Sequence, residues 1–135
     1  MKTILSRLKT LITDNMVASA TLSYVKSVEI VHPDLSITAE SVATLPKIVF
    51  TPVSTSEEWV ASQEKQATNI VTAYLILLYR QRETSIMGDS TRPAGQGKGM
   101  MDFVADFLTV VRGHRLSVSD TIYLDKPLDI TNINY

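Results

Sequence analysis

Two segments of the chain, one near each end, have apolar residues at helical spacing. These segments restrict the possible folds of the chain more than any other feature of its sequence. The first has apolar side chains at Ile4, Leu5, Leu8, Leu11 and Ile12. The second has them at Met100, Phe103, Val104, Phe107, Leu108 and Val111. Apolar residues three and four positions apart form one face of a helix. Each segment therefore predicts an amphipathic helix whose apolar face packs on a core formed elsewhere in the chain.

Residues that end helices follow both segments. Asp14 and Asn15 tolerate turns and are expected to end the first helix. Gly113 follows the second segment and is expected to adopt the left-handed conformation that other residues avoid. Arg112 places a cation at the negative end of the helix dipole. The second helix is therefore expected near residues 99–113.

The rest of the chain contains five segments with the composition of β-strands, which are residues 22–31, 47–53, 67–80, 116–124 and 128–133. Pro52 argues for a sheet edge or a strand end, because proline cannot donate to a β-ladder. The apolar run at 67–80 suits a central strand, although an apolar run alone does not distinguish a strand from a buried helix. The sequence thus predicts an α+β fold, with a mixed or antiparallel β-sheet of about four to five strands packed by the two helices.

The connecting segments are rich in polar and helix-breaking residues. Residues 33–45 have no clear period and are expected to form a loop. Residues 54–58 are expected to form a turn that enters one helical turn, from which Trp59 and Val60 can fold back onto the sheet. Residues 81–99 combine glycine, serine, aspartate and proline, and they are expected to form a long flexible loop.

Four cations lie in or beside the loop at 81–99, namely Arg80, Arg82, Arg92 and Lys98. Such a cluster is usually part of a solvated loop. A loop of this length in a compact domain is nonetheless uncommon unless it is disordered or functional. These four residues are therefore candidate contacts with a partner protein.

The composition fits one globular domain spanning residues 1–135. The chain is 44% hydrophobic and 20% charged, and a chain of this length can fold without a disulfide or metal. Its net charge of -1 excludes a strongly polycationic nucleic-acid binder, and the absence of cysteine excludes disulfides, thiolate nucleophiles and zinc ribbons. Because Arg7 and Lys9 interrupt the N-terminal apolar run and the longest apolar stretch is residues 70–79, neither a cleaved leader nor a membrane span is expected.

The motifs of common enzyme chemistry are incomplete. In the glycine-rich stretch ahead of the second helix, Gly99 stands where a Walker loop needs serine or threonine, and the GxGxxG pattern also fails. His32 is far from His114, which is expected to contact the last carbonyl groups of the second helix. Asp102 and Asp106 have a spacing that can bind a metal, but carboxylates near a helix start also stabilise its dipole. We predict no catalytic, cofactor-binding or metal-binding residue, and hence no enzyme.

The order of these elements resembles that of a specific group of proteins. TLPKIVFTPV (residues 44–53) is similar to the segment that opens the sheet in tail terminator and tail-completion proteins of long-tailed bacteriophages. The strand NIVTAYLILLYR (69–80), the irregular loop and the helix MMDFVADFLTVVRG (100–113) follow in the order of that family. A late strand and a C-terminal tail complete the pattern. The resemblance covers almost the whole chain and is carried by element order, length and one short motif.

The resemblance implies a structural role in a virion and no enzyme activity. Members of the family form a hexameric ring that caps the tail tube at full length, ends tube polymerisation and joins the tail to the head or neck. The implied partners are other copies of the chain, the tail tube protein, a neck or head-completion protein and, in a contractile tail, the sheath protein. DNA passes through the ring without sequence-specific binding. The implied location is the tail or neck region of a virion assembled in the host cytoplasm, with no membrane contact.

Other functions fit the same residues. A neck or head-closure ring protein has similar elements, whereas a small cytoplasmic adaptor would bind a peptide or protein partner as a monomer or dimer. A phosphate-ester hydrolase would need Asp102 and Asp106 in one cleft with a metal. Ring formation distinguishes the first class from the adaptor, which has no reason to form hexamers.

Overall fold

The computed structural model of the chain describes residues 1–32, 44–61, 64–77, 82–92, 97–116, 124 and 126–135. Three helices and three strands occur in these ranges. In chain order they are α1 (Lys2–Asp14), β1 (Ser27–Ile30), β2 (Lys47–Ala61), β3 (Glu64–Ile76), α2 (Arg82–Met87) and α3 (Met100–Val111).

The strands form one mixed sheet in the order β1-β2-β3. β1 runs parallel to β2, from the pair Ser27 and Lys47 to the pair Ile30 and Phe50. β2 and β3 are antiparallel over almost their whole length. The predicted α+β class with a mixed sheet is confirmed, but the described residues contain three strands where four to five were predicted.

The two amphipathic helices are confirmed. α1 buries Ile4, Leu5, Leu8 and Ile12, and α3 buries Phe103, Phe107 and Val111. Gly113 has the expected left-handed backbone, with φ of 76°. These helix faces pack with Leu22, Val25, Ile48, Phe50 and Leu116 in the hydrophobic core.

The first predicted strand is shorter than expected. Residues 22–25 lie in a turn, in which the Leu22 amide donates to Asn15 O and the Val25 amide donates to Leu22 O. Leu22 and Val25 are buried in that turn, so their apolar character reflects the core and not a strand. Only Ser27–Ile30 pairs with the sheet.

The predicted strands near the C-terminus are not found in the described residues. Most of the segment 116–124 lies outside those residues. Residues 128–133 have no regular structure. Leu128 alone there exchanges backbone hydrogen bonds with Gly113 and His114, at 3.1 and 2.9 Å. The chain after it therefore has a strand-like sequence but no ladder partner among the described residues.

The second predicted strand is much longer than expected. β2 continues past Pro52 to Ala61, so the predicted turn and helical turn at 54–58 are wrong. Trp59 and Val60 are 67% and 62% exposed and do not fold back onto the sheet. β1 ends opposite Phe50, so among the described residues strand β2 has only β3 beside it at Pro52. Proline is tolerated there because that edge is open, and a register shift follows immediately.

Among the described residues, strand β3 lies at the edge of the sheet, whereas a central place was predicted. The strand begins at Glu64, before the predicted start at residue 67. β2 is the central strand because β1 and β3 flank it. The last residues of the predicted strand, 78–80, lie outside the described part of the chain.

The segment predicted to be a flexible loop, 81–99, is folded in its described parts, 82–92 and 97–99. It contains α2, and the Asp89 amide donates to Gly97 O at 2.7 Å. A Cβ on Gly99 would overlap the Gly88 nitrogen and the Ile86 carbonyl oxygen. Gly99 therefore permits the backbones of Gly88 and Ile86 to approach closely.

Candidate interaction surface

The most exposed feature of the fold is the far half of the β2–β3 hairpin. We call residues 53–61 and 64–70 the hairpin arm. Every β2 residue from Lys47 to Thr51 is buried, whereas every one from Val53 to Ala61 is exposed. On β3, Glu64 to Thr68 are likewise exposed. The sheet is therefore packed at its base and extends as a two-stranded ribbon beyond the core.

One face of the arm contains contacts between its own side chains. Val71, Ala73 and Leu75 of β3 pack against the core, and alternation along β3 places Lys65, Ala67 and Asn69 on the same side. We call this side the inner face. Their cross-strand partners there are Trp59, Glu57 and Thr55.

The inner-face side chains contact each other through charge and hydrogen bonds. The Lys65 ammonium lies 4.8 Å from the centroid of the Trp59 ring and 3.6 Å from Glu57 Oε2. Thr55 Oγ1 donates to Asn69 Oδ1 at 2.8 Å. Exposed contacts of this kind stabilise a structure by about 1 kcal/mol or less each. They hold the ribbon in register but do not replace a hydrophobic core.

The opposite, outer face of the arm is mostly polar, and both of its charged residues are acidic. It carries Glu64, Gln66, Thr68 and Ile70 of β3, paired with Ala61, Glu58, Ser56 and Ser54 of β2. Ile70 is 51% exposed there, and Val53 and Val60, at the two register shifts of β2, are 58% and 62% exposed. Glu58 and Glu64 make no ion pair with any described residue.

The arm also has an unpaired strand edge. β1 covers the edge of β2 only from Lys47 to Phe50, so the edge from Thr51 onwards has no strand beside it in the described ranges. A row of free backbone donors and acceptors is a template for pairing with another chain. The hairpin arm therefore has the chemistry of an interaction surface on its outer face and along this edge.

The four cations proposed as partner contacts lie in different settings. Arg80 is outside the described residues, and Arg82 begins α2. Arg92 Nε lies 3.5 Å from Asp89 Oδ2, and Lys98 Nζ lies 3.0 Å from Asp106 Oδ2. Arg92 and Lys98 thus each face a carboxylate of the chain itself. A role for these residues in partner binding stays a prediction.

Lys98 belongs to a cluster that ties the glycine-rich segment to the core. Its ammonium lies 5.4 Å from the centroid of the Tyr24 ring, and the Tyr24 hydroxyl donates to Asp106 Oδ2 at 2.7 Å. The Tyr24 ring meets Phe103 edge to face, with centroids 5.7 Å apart. Burial raises the pKa of Tyr24, and the hydrogen bond to Asp106 and its negative charge raise it further. Sequence reasoning missed this cluster because Tyr24 and Asp106 are distant in the chain.

The two aspartates considered as a metal pair have separate structural roles. Asp102 Oδ2 accepts a hydrogen bond from the Gly99 amide at 3.0 Å, which caps the start of α3. Asp106 faces Tyr24 and Lys98. Across the described ranges, no three histidine, aspartate or glutamate residues are placed to hold a metal ion. The helix-start explanation for Asp102 is therefore supported by its contact.

His114 makes a different contact from the predicted one. Its Nδ1 accepts a hydrogen bond from the Leu116 amide at 2.8 Å, so the ring faces the chain that follows α3 and not the last helical carbonyl groups. Its backbone amide, by contrast, donates to Val111 O at 3.1 Å. The side chain stabilises the turn after Gly113.

Asp89 closes a second local turn. Its Oδ1 accepts hydrogen bonds from the Thr91 hydroxyl at 2.6 Å and from the Thr91 amide at 3.0 Å. These hydrogen bonds, first that from the hydroxyl, lower the pKa of Asp89, and Arg92 adds to the effect. Asp89 thereby orders the segment that precedes the glycine-rich stretch.

A buried lysine at the base of the sheet was also missed by sequence reasoning. Lys47 Nζ lies 2.9 Å from Glu29 Oε2, and its side chain is 5% exposed against 47% for Glu29. A lysine buried to this degree needs a partner for its charge. Thr51, on the same face of β2, is also buried, and its hydroxyl has no hydrogen-bond partner among the described residues.

Comparisons with known proteins assign no family. The chain matches no family model, no curated protein and no solved structure. No helix within the described ranges has the length and apolar character needed to cross a membrane. A functional proposal therefore rests on the geometry of the chain and on the resemblance of its sequence to tail terminator proteins.

Proposed function

We propose that the chain is a structural virion protein that assembles into a ring, caps the tail tube of a long-tailed bacteriophage, ends tube polymerisation and joins the tail to the head or neck. The hairpin arm is the observation that carries this proposal. It extends from the core, exposes Val53, Val60 and Ile70, and leaves an open strand edge. A ring protein needs such a surface, because each copy must contact its neighbour.

The physics of hairpins supports an assembly role for the arm. An isolated two-stranded hairpin is marginally stable in water. Only the base of this hairpin packs on the core, through residues such as Ile48 and Phe50. A contact with another protein would bury the outer face of the arm and stabilise the ribbon. The proposed ring supplies that contact from a neighbouring copy.

The ring follows from how surfaces of identical chains meet. The arm lies at one end of the sheet, while the sequence resemblance implies repeated contacts between equivalent copies. A contact between two different surfaces of identical chains closes into a ring when the rotation between copies allows it. The number six comes from the resemblance alone.

Electron microscopy of tail tubes tests the function. Purified chain is added to tubes assembled from the tube protein of the same phage, and tube ends are imaged in negative stain. We expect a ring at one end of each tube and no further elongation when more tube subunits are added. Uncapped tubes that continue to elongate would contradict the proposal, and binding to heads but not tubes would favour a neck protein.

A matched pair of variants links this result to the arm. Ile70→Asp places a charge on the outer face, whereas Val17→Asp places one on an exposed apolar site in the turn after α1; the two residues are 51% and 59% exposed. We expect Ile70→Asp to abolish capping and Val17→Asp to retain it. Equal capping by both variants would show that the outer face is not the assembly surface.

A further inference from the structure

The charges of the hairpin arm and of α1 are opposite in sign. The arm carries Glu57, Glu58 and Glu64 against Lys65, which gives a net charge of -2 for its described residues. α1 carries three cations, Lys2, Arg7 and Lys9, against Asp14, which gives a net charge of +2. The whole chain is nearly neutral, at -1. Its charge is therefore separated between two of its most exposed elements.

The exposed face of α1 is polar and regular. Lys2, Ser6, Lys9 and Thr13 are exposed and lie three or four positions apart, so they form one stripe beside the buried face. Arg7 is directed elsewhere, because its guanidinium donates to Leu116 O at 2.8 Å. Lys2 and Lys9 form no ion pair with any residue that the structure describes. This stripe thus presents two cations without an ion-pair partner in the described ranges.

The outer face of the arm presents the matching groups. Glu58 and Glu64 lie on that face with Ile70, and neither carboxylate pairs with a cation in the described part of the chain. Glu57, by contrast, lies on the inner face beside Lys65. The two acidic groups without a described partner and the exposed Ile70 side chain therefore occupy the same face.

We propose that the outer face of the hairpin arm of one copy docks on the Lys2–Ser6–Lys9–Thr13 stripe of α1 in the next copy. The ring of the proposed function supplies the second copy, so this inference rests on that function. Glu58 and Glu64 pair with Lys2 and Lys9, and the aliphatic stems of the lysines cover Ile70. The β2 part of the arm, at ~30 Å, is long enough to span the ~20 Å of α1.

Charge favours this arrangement over a contact between two arms. A symmetric arm-to-arm contact would place Glu58 and Glu64 against the same carboxylates of the second copy, and like charges at an interface cost several kcal/mol. An arm-to-helix contact joins two different surfaces, so it is head-to-tail and can be repeated around a ring. It also uses two groups of charges that have no ion-pair partner among the residues that the structure describes.

Charge reversal tests the pairing of the arm carboxylates with the α1 lysines, because reversing both partners should restore the attraction that reversing one of them removes. Lys2→Glu/Lys9→Glu reverses the helix stripe, Glu58→Lys/Glu64→Lys reverses the arm, and the quadruple variant reverses both while keeping the net charge of the natural chain. We expect each double variant to weaken self-association at least tenfold at low salt, and the quadruple variant to recover most of it. Double variants that associate like the natural chain, or a quadruple variant weaker than both, would overturn the proposal. Circular dichroism confirms that each variant is folded.

Disulfide trapping tests the contact itself, because the chain has no cysteine of its own. Ser6→Cys lies in the helix stripe between the lysines, and Ser56→Cys lies on the outer face next to Glu58 in alternation. The two single variants are mixed and oxidised, and Ser6→Cys is mixed with Tyr135→Cys as a control, since Tyr135 is 76% exposed in the tail. We expect a two-chain product from the first mixture in at least fivefold excess over the control. Equal yields would overturn the arm-to-helix contact.

The two experiments separate this inference from the ring. A capped tube without the cross-link, and without any effect of charge reversal, would retain the ring and reject the arm-to-helix contact. The cross-link in a closed dimer, with no ring and no capping, would retain the contact and reject the ring. A natural chain that stays monomeric and gives no cross-link in either the free or the tube-bound state would reject both.

Discussion

The hydroxyl of Tyr24 donates a hydrogen bond to the carboxylate of Asp106 at 2.7 Å, and thereby joins the turn after α1 to the middle of α3. Lys98 completes the contact, since its ammonium lies 3.0 Å from the same carboxylate oxygen. The segment ahead of α3 is thus held to the core by a phenol, a carboxylate and an ammonium group. This cluster fixes the position of Lys98 directly ahead of α3.

Replacing Tyr24 by phenylalanine removes the hydroxyl and leaves the ring. Because Asp106 then loses a donor at a part-buried site, we expect the free energy of unfolding to fall by about 1–2 kcal/mol. Tyr74→Phe is the matched control, since Tyr74 is 44% exposed and donates no hydrogen bond in the described residues; its effect should stay within about 0.5 kcal/mol. Urea denaturation measures both, and equal effects would contradict a stabilising role for the Tyr24 hydroxyl.

The pH dependence of stability also reports on Tyr24. Its pKa is raised in the folded protein, so the folded state holds the phenol proton more tightly than the unfolded state does. The resulting stabilisation is complete below the unfolded value of about 10 and declines as the pH rises above it. We expect the difference in unfolding free energy between the natural chain and Tyr24→Phe to shrink from pH 9 to pH 11. A difference that stays constant or grows over this range would contradict the burial and hydrogen bond assigned to this group.

Replacing either of two glycines is expected to lower the free energy of unfolding, for a different physical reason at each position. Gly113 has φ of 76° with nothing within 4 Å of an added Cβ, so Gly113→Ala should cost about 1–2 kcal/mol through backbone strain. In Gly99→Ala the new Cβ would overlap the backbone of Gly88 and Ile86, which we expect to cost about 1–3 kcal/mol.

Asparagine distinguishes the two cases. It tolerates the left-handed conformation, so Gly113→Asn should recover part of the stability that alanine loses. Gly99→Asn should be no better than Gly99→Ala, because its Cβ meets the same atoms. Thermal unfolding of the four variants measures this, and an asparagine that rescues Gly99 but not Gly113 would reverse the assignment.

The hairpin arm should contribute little to the stability of the single chain. Trp59 is 67% exposed, so Trp59→Ala should change the unfolding free energy by less than about 1 kcal/mol. Phe50 is 2% exposed at the base of the same strand, and Phe50→Ala should cost about 3–5 kcal/mol. Urea denaturation of a dilute sample measures both. A loss for Trp59→Ala comparable to that for Phe50→Ala would mean that the arm packs on its own chain.

Elements that bury one face are the ones that the sequence predicts best. α1 and α3 have apolar residues at helical spacing because one side of each packs on the core, and the same spacing is visible without a structure. The far half of β2 has no such signal, since both of its faces are exposed and no alternation of apolar and polar residues is required. Its serine, threonine and glutamate residues suggested a turn, and the pairing with β3 that makes it a strand is not a local property.

The contacts of the candidate site join residues that are close in space but not adjacent in the sequence. The sequence identifies Lys98 as a cation but does not identify its partners. Its carboxylate partner Asp106 is on the next helix, and its aromatic neighbour Tyr24 is in the first quarter of the chain. Gly99 suggested a flexible loop because composition does not show which backbone lies against a glycine. The buried pair of Lys47 and Glu29 joins two strands whose register the sequence does not specify.

The central claim is that copies of this chain assemble through the hairpin arm into a closed ring, and the mass in solution tests it most directly. Light scattering is measured on the natural chain and on Ile70→Asp from micromolar to millimolar concentration. We predict that the natural chain reaches a fixed mass of about 90 kDa, six times the 15.0 kDa of one chain, and that Ile70→Asp stays near 15.0 kDa. A natural chain that remains at 15.0 kDa over the whole range, or an arm variant that assembles equally well, would contradict the account.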